Sequence, residues 1–86
     1  MAINYNKAHY AAYMEEVDIR LRDNNPPEIR ITVERLKSEG FSEIDAKKFI
    51  VHVIVSETAW MNRKIEEFNL QRFIKNLNRL PADPEE

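Results

Sequence analysis

Glu57 is the residue in this chain best placed to do chemistry. At about 100° per residue it falls in the middle of an apolar helical stripe made by Ile50, Val53, Ile54 and Met61. A carboxylate in such a stripe must be hydrogen-bonded, paired or protonated. Burial raises its pKa, and an acid tuned that way serves as a catalytic acid or a ligand group. The structural reading of the same residue is an acid that anchors tyrosine hydroxyls or an arginine from another helix. His9 and Tyr13 share a face of the first helix, one turn apart, so a His–Tyr–Glu cluster is one expectation for the bundle interior. Helical bundles build ligand and metal sites from side chains on facing helices. No second histidine follows at i+3 or i+4 and no HExxH spacing occurs, so no metal is assigned, and packing or capping is the other role for His9.

Four further residues are candidates for contact with a partner. His52 lies about 140° from Glu57 around the third helix, does not converge on it, and reads as a surface or interface histidine. Val51 and Val55 add apolar surface on the far side of that helix. Trp60 reads as core or, if half exposed, as an interface anchor, because aromatic residues concentrate binding energy.

Composition narrows the remaining classes. The chain has 86 residues, 43% of them hydrophobic and 33% charged, which fits one soluble globular domain. Thirteen basic residues against fifteen acidic ones give a net charge of -2, which argues against a generally basic, nucleic-acid-coating protein. With no cysteine there is no disulfide, thiolate nucleophile or cysteine-bound metal. The single glycine, Gly40, excludes glycine-rich phosphate loops. No catalytic group and no cofactor is assigned. Residues 1–10 carry neither an apolar run nor a cleavage pattern. The longest greasy stretch, 49–55, is broken by His52 and is far short of the roughly 20 residues a membrane span needs. No membrane contact is expected, and a cytoplasmic location is.

The elements that position these residues read as four helices. The first covers about 6–22, with Tyr10, Tyr13, Met14, Val17 and Leu21 on one face and Asn4 or Asn6 as its cap. Residues 23–27, Asp-Asn-Asn-Pro-Pro, form the clearest break. Asn25 suits the N-cap, Pro26 the first helical position and Glu28 the acid of a capping box. The second helix carries Ile29, Val33 and Leu36 and ends at Gly40, with Phe41 folding back on Leu36. Ser42 opens the third, with Asp45 at its third position, and the helix continues to about 64. The β-branched run 50–55 would also suit a strand, but the caps and the pattern extend well beyond strand length. The last helix starts near Asn69, presents Leu70, Phe73, Ile74, Leu77 and Leu80, and is stopped by Pro81. The expected architecture is all-α: a four-helix single domain over 1–81 with a central, mostly apolar third helix, then a flexible acidic tail at 82–86.

Arg63, Lys64, Arg72, Lys75 and Arg79, set against Glu66 and Glu67, give a basic stripe near the end. Such a stripe can meet phosphate, but it also suits a solvated face cancelled by Asp83, Glu85 and Glu86. Nucleic acid is therefore not the expected partner.

The order of features resembles a family of small bacterial helical domains of unknown function. The matching residues are His9, the Pro26–Pro27 break, Gly40, a Glu-x-x-Trp formed by Glu57 and Trp60, and a closing Leu-x-x-Leu at Leu77 and Leu80. That family tends to carry a second histidine in its first helix, near where this chain has Tyr13. The resemblance implies an all-helical fold and brings no activity with it. The functional expectation is a small helical interaction or structural module that self-associates as a homodimer or meets a protein partner. The alternatives are a metal- or small-ligand-binding protein using His9, Tyr13 and Glu57, and weak nucleic-acid binding.

Overall fold

The structure, a computed structural model, describes residues 7–86, with side chains from His9 onward. Its order is α1 (Lys7–Asp23), α2 (Pro27–Ser38), α3 (Glu43–Lys64) and α4 (Leu70–Arg79), with no strand among the described residues. The caps expected at Asn4 or Asn6 fall outside the described residues. The all-α, four-helix expectation holds, and so does the central role of the third helix. α3 packs against each of the other three helices, whereas α1 and α4 do not pack on each other.

The core explains that arrangement. α3 buries Ala46, Ile50, Val51, Val53 and Ile54, which point in several directions around its axis. A helix apolar on most sides must be covered on most sides. Val17 of α1, Ile29, Val33 and Leu36 of α2, and Phe73, Leu77 and Leu80 of α4 and its exit supply the cover. Each such fully buried side chain contributes about 1.5–3 kcal/mol.

The corner between α2 and α3 is built by local rules. Gly40 takes φ 101°, where a side chain would be strained. The Phe41 N–H donates to Leu36 O at 3.1 Å and the Gly40 N–H to Lys37 O at 3.0 Å, the two bonds of a Schellman ending. Ser42 Oγ then accepts from the Asp45 N–H at 3.1 Å and opens α3. Phe41 lies edge-on to Phe49, ring centres 5.1 Å apart.

The start of α2 departs from expectation by one residue. Pro26, not Asn25, is the N-cap, in an extended conformation and without a side-chain cap bond, and Pro27 is the first helical residue. The cause is steric: the ring of Pro27 disfavours helical backbone at the residue before it, so Pro26 must stay extended.

α2 also fastens its neighbours. Arg30 Nη2 donates to Leu21 O at 2.6 Å and Arg35 Nη2 to Leu77 O at 3.0 Å. Both acceptors belong to the last turn of a helix, where carbonyls lack partners within the helix. Two cations of one helix thus close the C-terminal ends of α1 and α4, the electrostatically favoured end for positive charge.

Candidate functional site: a buried carboxylate and guanidinium

Glu57 lies where its stripe predicts, 2% exposed within α3. Its partner is Arg72 of α4, itself only 9% exposed. Arg72 Nε donates to Glu57 Oε1 and Nη2 to Oε2, both at 2.8 Å. The third guanidinium nitrogen, Nη1, reaches Glu66 Oε1 at 2.8 Å. The Trp60 ring lies beneath the guanidinium, 5.3 Å from its carbon to the ring centre. Glu57 and Trp60 are three residues apart on one helix, so both address the same cation.

The site is joined to the start of α4. Asn69 is the N-cap, its Oδ1 accepting from the Arg72 N–H at 3.0 Å. The Asn69 N–H donates in turn to Glu57 Oε2 at 3.0 Å. In a capping box that bond is made by an acid three residues into the same helix. Here that position is Arg72, and the acid comes from α3.

Burial pushes the Glu57 carboxyl up. The Arg72 hydrogen bonds, the Asn69 N–H and the Arg72 charge outweigh burial and hold it below its ordinary value of 4.5. The Glu57 hydrogen bonds in turn raise the Arg72 pKa, against the effect of its burial. An ionised carboxylate with both oxygens engaged suits holding a helix rather than passing a proton.

Several sequence-expected residues lie elsewhere. Glu57 is served by Arg72 and Asn69 rather than by His9 and Tyr13. His9 is exposed, and Tyr13 packs half-buried at the margin of the core. A cavity of about 230 Å³ does open beside Glu57, but α1 contributes Glu16 and Arg20 to it. Among the described residues no three His, Asp or Glu side chains are grouped to share a metal ion. Val51 is wholly buried and offers no surface patch, and Trp60, 5% exposed, follows its core reading rather than its interface one. Val51 is covered because α3 has helices around it, and Trp60 because Arg72 lies over its face. Val55 and His52 are half-buried. His52 borders a cavity of about 330 Å³ with Phe41 and Phe49, and its buried Nε2 meets no protein partner.

The basic stripe dissolves as well. Arg72 is buried, Arg63 and Lys64 face Glu86, and Arg79 meets Glu85 at 3.1 Å. No helix among the described residues is long and apolar enough to cross a membrane. An arginine from another helix was among the partners expected for Glu57, but Arg72 was not singled out, and the burial of Asn76 was missed in the sequence. The available signal was the rule that a buried acid needs a cation, together with the Asn69-x-x-Arg72 spacing of a cap and its third residue. Comparison with protein-family models, curated proteins and solved structures finds no match.

Proposed function

We propose that this chain is a small cytoplasmic interaction module, not an enzyme, and that it self-associates through the corner between α3 and α4. The observation that carries this reading is the exposure of Ile65 (93%), Phe68 (41%) and Leu70 (48%) within six positions of sequence. Large apolar side chains gathered on a surface mark contact sites. The corner is fixed in place: the Phe68 ring rests on Phe73, centres 5.2 Å apart, and Phe73 is core. Lys64 and Glu67 flank it with opposite charges, which a second copy related by a two-fold axis can match. On this reading the Glu57–Arg72 pair is the brace that sets the corner's geometry. It would also give the Glu-x-x-Trp of the bacterial family resemblance a structural meaning, since both residues hold one arginine.

Sedimentation equilibrium over a wide concentration range tests the reading. The expected result is a monomer–dimer equilibrium that Ile65→Ser with Leu70→Ser abolishes while the circular dichroism spectrum is retained. A wild-type chain that stays monomeric at high concentration overturns self-association.

A further inference from the structure

The segment after α4 is bound as a peptide would be. Asn76 is wholly buried, and its side-chain amide grips one residue of the tail from both sides. Its Nδ2 donates to Glu85 O and its Oδ1 accepts from the Glu85 N–H, both at 2.8 Å. This is the pairing a neighbouring strand would give an extended chain, and it reads backbone without regard to side chain. Side-chain selectivity comes from the flanks. Pro84 is buried. Arg79 takes the Glu85 carboxylate at 3.1 Å and reaches Asp83 O at 3.3 Å. Arg63 and Lys64 take the Glu86 carboxylate.

The tail does not exhaust the groove. A cavity of about 470 Å³ remains beside it, bordered by Val55, Ser56, Ala59 and Trp60 of α3. Ser56 is 1% exposed, yet its hydroxyl meets no protein partner, and neither does the buried Nε of Arg79. A buried polar atom left unpaired costs roughly 1–3 kcal/mol, so a segment built only to seal this face is a poor fit for it.

We propose that the groove between α3 and α4 is a docking site for an extended segment of a partner protein carrying a proline followed by two acidic residues. Residues 83–86 occupy it in cis as a removable competitor. The tether holds the tail at an effective concentration on the order of millimolar, so a free peptide competes with it at a disadvantage. This surface meets the apolar corner only at Lys64, and its use does not depend on self-association.

The test uses the full chain and a labelled, end-blocked Ala-Asp-Pro-Glu-Glu peptide. Glu85→Pro removes the N–H that Asn76 accepts and releases the tail while leaving the groove intact. The variant is expected to bind the peptide roughly tenfold or more tighter than the wild type, in line with losing a tethered competitor. Arg63→Glu in that background weakens binding by a similar factor, and a peptide with lysine for both glutamates does not bind. A folded Glu85→Pro chain with no gain in binding overturns the proposal. If that variant does not fold, the ¹⁵N spectrum of the wild type titrated with peptide decides. The Glu85 amide is expected to move to an unstructured position while the Asn76 side-chain amide stays engaged. A Glu85 amide that does not respond overturns the proposal, as does a dimer that depends on residues 83–86, which would put a second copy's tail in the groove.

Discussion

Asn69 and Glu57 complete between them a helix cap that is divided over two helices. The Asn69 side chain closes one free N–H of α4, and its own N–H is closed by Glu57 of α3 at 3.0 Å. The same carboxylate holds Arg72, the third residue of the helix so capped. One side chain therefore fixes where α4 begins, how it is rotated and which face of Arg72 meets Trp60.

Replacing that acid should be costly. Removing one partner of a buried ion pair typically costs about 3–5 kcal/mol, because the other charge is left uncompensated. Glu57→Gln keeps one acceptor oxygen, so a loss of about 2–4 kcal/mol is expected. Glu85→Gln touches a pair with an exposed carboxylate and should cost no more than about 1 kcal/mol. Urea unfolding of the two variants measures both, and equal, near-zero changes would remove the bracing role assigned to Glu57.

Acid should weaken the protein through the same residue. The Glu57 carboxyl is held below its ordinary value in the folded state. Its contribution is therefore complete above about pH 4.5 and disappears as the pH falls through the folded-state value. The stability of wild type should drop on that acid limb, and the Glu57→Gln chain should show a shallower drop. Thermal midpoints from neutral pH down to pH 3 would show it; parallel curves would assign the acid sensitivity to other carboxylates.

Gly40 offers a test of pure backbone strain. A Cβ placed there meets nothing within 4 Å, so Gly40→Ala has no steric clash to confuse the result. Its φ of 101° is unfavourable for alanine, and a loss of about 1 kcal/mol is expected. A chain as stable as wild type would mean that the corner relaxes without cost.

Ile65 offers the converse. It ends α3 in the left-handed conformation, φ 52° and ψ 54°, where a β-branched residue is strained. It is 93% exposed and has almost no packing to lose. Ile65→Gly should raise monomer stability by roughly 1 kcal/mol, seen in the urea midpoint at low concentration. The same change should weaken the dimer at high concentration. A destabilised monomer would contradict the strain.

What could be read from the sequence was what local rules govern. The Gly40–Phe41–Ser42 corner follows from conformational preferences of neighbouring residues, and the residue spacing alone places Glu57 inside. The Pro26 cap was open to the same reasoning, since Pro27 constrains the residue before it, but the Asn25 signal obscured it. Arg72 was harder. Its partner lies fifteen positions away on another helix, and one-dimensional spacing grouped it with exposed cations. Asn76 and Pro84 look like surface residues until the tail folds back over α4. For 82–86 a loose acidic end was expected; here Pro84 is buried and Glu85 is held through its backbone.

The two arginines of α2 carry a further implication. Arg30 sits on the end of α1 and Arg35 on the end of α4, helices that do not pack on one another. Loosening α2 would take one bond from each of these ends, leaving Leu21 O with the Asn24 N–H and Leu77 O with the Leu80 N–H, so the two ends are coupled through α2. The second helix thus ties together two helix ends that make no contact of their own.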